Sequence, residues 1–163
     1  MESEEERDGF VEMRNKYGNI KVEVDGIKFA SKSEAKYYEQ LKWLKQAKQI
    51  KSFKLQPRYL LQEAFKKNGR TIRKIEYVAD FEVKHLDGSI EVIDCKGVET
   101  EAFKLKRKWF DRLYLYQLSV IAYDEDLGFI ELDKLKKLKR KAVKMSAKRT
   151  NRRRSASLGT ARR

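Results

Sequence analysis

The sequence predicts an α/β fold in which a mixed β-sheet is flanked by helices. Segments of alternating or continuous apolar residues, typical of strands, are interspersed with segments in which apolar residues recur at helical spacing. In the second half of the chain a hairpin, a helix and a strand follow one another, and this succession suits a mixed sheet covered by helices. With 163 residues and 40% hydrophobic residues, the chain has enough material for one core.

The N-terminal part of the sequence consists of an acidic segment followed by a pattern that predicts a small β-hairpin. Residues 1–16 lack apolar periodicity, and residues 1–12 carry six acidic residues and one arginine, so we expect disorder there. Residues 21–24 and 27–30 alternate between polar and apolar side chains on either side of Asp25-Gly26, a dipeptide typical of tight hairpins. The folded domain is therefore expected to begin near residue 17.

A capped helix is expected next. Ser31 and Glu34 match a capping box, in which the two side chains satisfy backbone N–H groups at the helix start. Apolar residues then recur at helical spacing through about Lys48, and they are Ala35, Tyr38, Leu41, Leu44 and Ala47. As a capping residue, Glu34 would need no catalytic role.

The middle of the chain predicts strands. Residues 50–55 and 58–65 read as strands separated by Pro57, which cannot donate to a ladder and marks an edge or a turn. A basic turn, 66–70, leads into a hairpin formed by residues 71–84 and 89–95. His85 beside the hairpin turn has no second His or Cys nearby and reads as a surface residue, not a zinc ligand.

The hairpin carries charged residues that indicate a metal site. Asp80 and Asp94 lie within apolar strand sequence, where a carboxylate is costly unless a cation compensates it. Magnesium-type ions prefer such oxygen ligands. Lys96 shares a strand face with Asp94, and the backbone carbonyl of Cys95 lies between them. An ammonium beside a metal-bound water can orient or deprotonate that water, or stabilise a phosphate.

The register of this hairpin tests the metal hypothesis. A two-residue loop at Asp87-Gly88 would pair Asp80 with Cys95 and send the two aspartates to opposite faces. A three-residue loop, 86–88, with Gly88 in the left-handed conformation, pairs Asp80 with Asp94 instead. A metal site therefore requires the three-residue loop or a bulge elsewhere in the hairpin.

The C-terminal third predicts a capped helix, a strand and a basic helix. Thr100 is a plausible cap for a helix through about Gln117, and residues 118–123 read as a buried strand. Residues 131–144 predict a helix with a basic outer face. Residues 146–163 are poor in apolar residues and are expected to be disordered, either as a solubilising tail or as a segment that covers phosphates through Arg152, Arg153 and Arg154.

These motifs resemble the PD-(D/E)xK nuclease superfamily, and the wider sequence is similar to a family of small phage and prophage proteins within it. The resemblance covers roughly residues 15–123 and rests on NKYGNIKVEVDGIKFASKSEAKYYEQLK, LQPRY, YVADF, IDCKG and FKLKRKWF. Ala79 replaces the proline of the motif name, and Asp94 replaces the commoner glutamate. The resemblance implies a restriction-endonuclease-like sheet spanning residues 17–145.

The resemblance also implies roles for individual residues. Asp80, Asp94, the Cys95 carbonyl and Glu34 would bind Mg²⁺ or Mn²⁺, and Lys96 would position the attacking water. Glu34 thus has both a capping and a catalytic interpretation. Gln56 would line the active site or act as a loop amide, and Lys104 and Lys108 would meet phosphate or remain solvated. Cys95 has no recognisable base or oxyanion partner, so no nucleophilic role is expected.

The expected function is metal-dependent hydrolysis of DNA. The resemblance favours Holliday junctions or other branched DNA, cut by a homodimer encoded by a phage or prophage. The net charge of +14 suits a polyanion, and residues 134–163 carry fourteen Lys or Arg and no acidic residue. A single cysteine and no membrane-length apolar run fit a reducing cytoplasm, which the resemblance to phage and prophage proteins implies is that of a bacterial host. The alternatives are a non-catalytic basic nucleic-acid-binding module and a transposase-type or restriction-type nuclease that cuts linear duplex.

Overall fold

The computed structural model describes residues 21–159, with side chains for residues 21–146. Eleven strands and three helices are found in this part of the chain. In chain order they are β1 (Val22–Val24), β2 (Ile27–Phe29), α1 (Lys32–Gln46), β3 (Ile50–Leu55), β4 (Arg58–Gln62), β5 (Phe65–Lys67), β6 (Arg70–Ile72), β7 (Ile75–Val78), β8 (Phe81–His85), β9 (Ile90–Cys95), α2 (Glu101–Leu113), β10 (Gln117–Asp124), β11 (Gly128–Glu131) and α3 (Leu132–Gly159).

The main sheet has five strands in the order β11-β10-β9-β8-β3. β8 pairs antiparallel with β3 on one side and with β9 on the other, whereas β10 runs parallel to β9 after the α2 crossover. β11 then returns antiparallel to β10 and was not predicted as a separate strand. The expectation of a mixed sheet is confirmed, and the predicted helices flank it.

Helices cover both faces of this sheet, and two buried clusters hold them there. Val92 and Ile93 are adjacent in β9 and therefore point to opposite faces. Val92 belongs to the cluster that includes Phe110 of α2 and Leu132 of α3, and Ile93 belongs to the cluster that includes Leu41 of α1. The sheet is consequently sandwiched between α1 on one side and α2 with α3 on the other.

The two predicted hairpins form with the expected turns. β1 and β2 pair through Val24 and Ile27, and Asp25 and Gly26 both adopt positive φ angles, of 53° and 73°, as a tight turn of this type requires. In the β8–β9 hairpin the backbone N–H of His85 donates to the Ser89 carbonyl at 2.9 Å, and Gly88 has a φ of 88°. The three-residue loop required by the metal hypothesis is therefore present.

The segment before β8 differs from the predicted long strands. Residues 58–65 and 71–84 are broken into β4, β5, β6, β7 and β8, of which only β8 joins the main sheet. β4 pairs with β7, and β5 with β6, so together they make an interrupted two-stranded ribbon. The chain leaves this ribbon at Ala79-Asp80, where Pro57 O accepts from Ala79 N and Asp80 O accepts from Gln56 N. Alternation of side chains alone did not reveal these interruptions.

The helix ends also differ from the sequence expectations. α2 ends at Leu113 instead of near Gln117, because Tyr114 is extended and leads into β10. α3 continues to Gly159, through most of the segment 146–163 that composition predicts to be disordered. Good helix formers such as Lys, Arg and Ala favour this continuation.

The acidic segment 1–16 and the side chains of Arg152, Arg153 and Arg154 lie outside the described residues. No helix in the described part of the chain is long and apolar enough to cross a bilayer.

Candidate functional site

The end of the β8–β9 hairpin positions the predicted acidic residues. The ladder ends at the pair Phe81 and Ile93, and Asp80 lies one residue beyond it, next to the β9 segment that contains Asp94. Asp80 remains tied to β9 because its backbone N–H donates to Ile93 O at 3.1 Å and its Oδ2 accepts from the Cys95 N–H at 2.7 Å. The two aspartates are thus neighbours at the same end of adjacent strands.

Asp94 is completely buried and is held by two side chains. The Tyr77 hydroxyl donates to Oδ2 at 2.6 Å, and the Lys96 ammonium lies 2.6 Å from Oδ1. The ammonium approaches Oδ1 outside hydrogen-bond geometry, so this oxygen is the one buried side-chain polar atom without a hydrogen bond among the described residues. The cation that compensates this buried carboxylate is therefore the ammonium of Lys96.

Lys96 supplies positive charge to the site. Burial alone disfavours its ammonium form, but the Asp94 carboxylate, followed by those of Asp80 and Glu34, outweighs burial and raises the pKa of Lys96 above its ordinary value. Its ammonium also lies 4.9 Å from the centre of the Phe103 ring on α2. Lys96 is therefore a cation at neutral pH, suited to orienting water or stabilising phosphate charge and not to accepting a proton.

Asp80 is a carboxyl group whose ionised form is strongly disfavoured by its surroundings. Burial, then the charge of Asp94, then that of Glu34, raise the pKa of Asp80 to about 8. Its bond from the Cys95 N–H and the nearby Lys96 offset only part of this effect. At neutral pH the carboxyl group is therefore mostly protonated, and an added cation would favour its ionised form.

Glu34 performs the predicted capping role and also reaches the site. Its backbone N–H donates to Ser31 Oγ at 3.2 Å, while its carboxylate accepts from the Ser31 hydroxyl at 2.9 Å and from the Ala30 N–H at 3.1 Å. Burial raises the pKa of Glu34, and the charges of Lys96 and Asp94 also act on it. The capping and cleft positions therefore coexist, although capping already uses both carboxylate oxygens.

Two adjoining cavities meet at Glu34. A cleft of about 910 Å³ is lined by Glu34, Asp94, Lys96 and Tyr77, among others. A smaller cavity of about 230 Å³ is lined by Glu34, Asp80, Gln56 and neighbours from β2. Gln56 thus lies beside Asp80, in a left-handed backbone conformation with a φ of 46°. The predicted acidic residues are brought to one region, with Asp80 and Asp94 opening onto different cavities.

The donor chemistry suits a hard divalent ion, but the carboxylates are already engaged. Oδ1 of Asp94 is without a hydrogen bond, and carboxylate and carbonyl oxygens are the ligands such ions prefer. No three His, Cys, Asp or Glu side chains among the described residues are arranged as a metal-binding group, however. Binding an ion at Asp94 therefore requires Lys96 to move away from Oδ1.

The predicted basic residues on α2 lie outside the cleft. Lys104 forms a 2.7 Å ion pair with Glu101, and with Lys108 it lines a separate, mixed-charge depression. The α2 residues that line the cleft are Ala102, Phe103 and Lys106, and Lys106 donates to Glu76 O at 2.9 Å. Sequence reasoning missed Lys106, although its position three residues after Phe103 puts it on the same helix face.

Tyr77 was the second residue that sequence reasoning missed. Its position in the YVADF string was visible, but nothing local indicated that its hydroxyl would reach Asp94.

Two other side chains fit their sequence interpretations, His85 as a surface residue and Cys95 as a residue without a nucleophilic role. His85 is paired with Glu91 at 3.0 Å near the surface, and burial raises the pKa of the Cys95 thiol, which keeps it protonated and unreactive.

The comparisons with known proteins identify a family without a known activity. A protein family described as "Protein of unknown function (DUF1064)" matches residues 14–125. This range contains β1 to β10 and all of the acidic residues of the cleft. No curated protein and no solved structure matches the chain.

Proposed function

This chain belongs to the DUF1064 family, and we propose that it is a Mg²⁺- or Mn²⁺-dependent endonuclease of the PD-(D/E)xK type that hydrolyses DNA phosphodiester bonds. The observation that carries the proposal is the placement of Asp80 and Asp94 at one end of the β8–β9 hairpin, with Glu34 lining the cavities of both and Lys96 paired with Asp94. Burying carboxylates together costs free energy, and a divalent cation at the site would reduce that cost.

Each residue has a distinct role in this proposal. Asp80 and Asp94 would hold the ion with the Cys95 carbonyl, and Glu34 would complete the shell directly or through water. The ion would supply charge stabilisation to the attacking and leaving oxygens. Lys96, once displaced from Asp94, would orient the attacking water or contact the phosphate. The mixed sheet flanked by helices supports the restriction-endonuclease-like assignment of the fold.

The proposed substrate is branched DNA, with the Holliday junction as the first choice. The net charge of +14 favours a polyanion, and the sequence resemblance to phage and prophage proteins favours junctions formed during recombination or packaging. Resolution of a junction needs two symmetric cuts, so the proposal includes a homodimer with paired sites. It also places the protein in the cytoplasm of a bacterial host.

A cleavage assay tests this proposal directly. Purified protein is incubated with labelled four-way junction, linear duplex and single-stranded DNA, with Mg²⁺, with Mn²⁺ or with EDTA. We expect metal-dependent cleavage of the junction, lost in Asp80→Asn and Asp94→Asn and retained in Asp111→Asn, which changes an exposed carboxylate on α2. Preferential cutting of linear duplex would favour a transposase-type or restriction-type nuclease instead. DNA binding without cleavage of any substrate would exclude the enzyme.

The second candidate function is a non-catalytic nucleic-acid-binding module. It is favoured by the direct contacts of Asp94 with Tyr77 and Lys96, which also describe a structural ion-pair cluster. On this hypothesis Asp80→Asn and Lys96→Ala leave the biological activity intact, whereas deletion of residues 146–163 abolishes it. The nuclease proposal requires the opposite result for the two point variants.

A further inference from the structure

The ribbon tip formed by β5 and β6 is a strongly basic surface with no packing role. Residues 65–74 include Lys66, Lys67, Arg70, Arg73 and Lys74 and no acidic residue. Every residue from 63 to 74 is exposed, and β5 and β6 pair only with each other. We call residues 65–74 the basic arm. Because an isolated two-stranded hairpin is only marginally stable, the arm contributes little to the core that it extends from.

The arm brings like charges together. Lys67 and Arg70 are directly opposite each other in the β5–β6 ladder, at the rung before the Asn68-Gly69 turn. Like charges at such a position destabilise a hairpin. Lys74 pairs with Glu76 at 2.9 Å, but Lys66, Lys67, Arg70 and Arg73 form no ion pair within residues 21–146. This charge is not neutralised by the described part of the protein.

The arm is structurally continuous with the candidate site. Its base is β4 and β7, which are anchored by the buried Tyr59, Leu61 and Tyr77 against α2. Tyr77 and Val78 of β7 line the same cleft as Asp94 and Lys96. From Tyr77 to Arg70 the chain spans at most about 23 Å at the rise of an extended strand. A duplex bound at the cleft is therefore within reach of the arm.

We propose that the basic arm binds the phosphate backbone of duplex DNA on one flank of the cleft. A two-stranded ribbon is narrow enough to enter a major groove, and uncompensated lysines and arginines bind phosphates through counterion release. Phosphate oxygens between Lys67 and Arg70 would remove the like-charge repulsion of the free arm. The inference rests on the proposed function in naming DNA as the polyanion, but its electrostatic basis does not depend on catalysis.

Binding measurements test the arm separately from cleavage. Fluorescence anisotropy with a labelled duplex of about two helical turns is carried out in EDTA, so that no metal-dependent reaction occurs. We expect Lys67→Gln/Arg70→Gln to weaken binding roughly 10- to 50-fold near 0.1 M salt and to reduce the slope of log affinity against log salt by about 2. The matched control is Lys48→Gln/Lys51→Gln, which removes two exposed lysines outside the arm and should change neither quantity beyond a small nonspecific loss.

Two further measurements complete the test. Melting temperatures show whether each variant is folded, and Arg73→Gln, which lies between strands and leaves the β5–β6 ladder unchanged, is expected to reduce the salt slope by about 1. Equal affinities and equal salt slopes for the arm and control variants would overturn the proposal. The arm would then be a surface for another partner, such as a protein.

The outcomes separate this proposal from the enzymatic one. Loss of affinity in the arm variants, together with no cleavage by the unmodified protein, would support the arm and exclude the nuclease. Metal-dependent cleavage with unchanged affinity in the arm variants would support the nuclease and exclude the arm.

Discussion

The hydroxyl of Tyr77 donates a 2.6 Å hydrogen bond to Oδ2 of Asp94, although the two residues belong to different sheets. Tyr77 lies on the β4–β7 ribbon, and Asp94 lies on β9 of the main sheet. The bond is buried and involves a carboxylate, so it is of the stronger kind found in proteins. It links the ribbon that ends in the basic arm to the residue at the centre of the candidate site.

Tyr77→Phe should lower both the free energy of unfolding and metal-dependent cleavage, because Asp94, a proposed metal ligand, loses one of the two side chains that hold it. Removing one donor from a buried carboxylate is expected to reduce the free energy of unfolding by about 1.5–3 kcal/mol. Chemical denaturation measures this change. Tyr59→Phe is the matched control, because the Tyr59 hydroxyl donates to Glu82 at 2.7 Å away from the cleft residues. The control should lose stability but keep metal-dependent cleavage, because its hydroxyl does not contact Asp94. Equal loss of cleavage in both variants would show that the Tyr77–Asp94 hydrogen bond has no specific effect on the site.

Asp80→Asn should stabilise the metal-free protein at alkaline pH. Because the pKa of Asp80 is raised to about 8 in the folded state from an ordinary 3.8, the folded state binds its proton more tightly. The resulting stability is fully present below pH 4 and is lost as the pH rises to about 8. Asparagine stays neutral and can still accept from the Cys95 N–H.

The measurement for Asp80→Asn is thermal unfolding in EDTA between pH 5 and pH 9. At pH 8.5 to 9 the variant should be more stable by about 1–2 kcal/mol, or roughly 3–6 °C. The difference should shrink toward pH 5. A variant that melts below the unmodified protein at every pH would show that the Asp80 carboxylate is not under electrostatic strain.

Divalent metal should raise the melting temperature of the unmodified protein. An ion bound only by the folded state stabilises it by about 1.4 kcal/mol when its concentration is ten times the dissociation constant. Mg²⁺ and Mn²⁺ are compared with EDTA by differential scanning fluorimetry. Asp94→Asn should cancel the rise and Asp111→Asn should keep it. An equal rise in both variants would indicate ion binding elsewhere.

Lys96→Ala should be strongly destabilising because it leaves Asp94 as a buried, uncompensated charge. Lys96 is partly exposed, with 32% of its side chain accessible, whereas only 1% of Asp94 is accessible. We therefore expect a loss of about 2–4 kcal/mol in the free energy of unfolding.

A double-variant cycle separates structure from catalysis at this pair. Lys96→Ala/Asp94→Asn removes both charges of the pair and should recover most of the lost stability in a denaturation experiment. On the nuclease proposal the double variant remains inactive despite its recovered stability. Cleavage restored together with stability would show that the pair is only structural.

Local features of the sequence predicted much of what surrounds the site. The capping box at Ser31 and Glu34 and the turn at Asp25-Gly26 are formed as expected, because each depends on a few consecutive residues. The register of the β8–β9 hairpin also followed from one local property, the ability of Gly88 to adopt a positive φ. These features brought Asp80 and Asp94 to one end of the hairpin.

Other features could not be predicted because they depend on contacts between distant segments. Alternation in residues 71–84 predicted one strand, but the chain breaks where Tyr77 turns toward α2 and Phe81 joins β9. The choice of Lys106 over Lys104 or Lys108 as the cleft residue depends on how α2 packs across the sheet. Neither outcome is encoded in a short window.

The sequence by itself determined the acidic residues, the lysine beside them, the hairpin that presents them and the excess of basic charge. The tertiary structure alone decided that Tyr77 and Lys96 both contact Asp94, that Glu34 lies between two cavities, and that residues 65–74 project from the core. The physical reason is the distance along the chain over which each interaction acts. Turn and cap preferences act between adjacent residues, whereas burial and charge compensation depend on which distant side chains pack together.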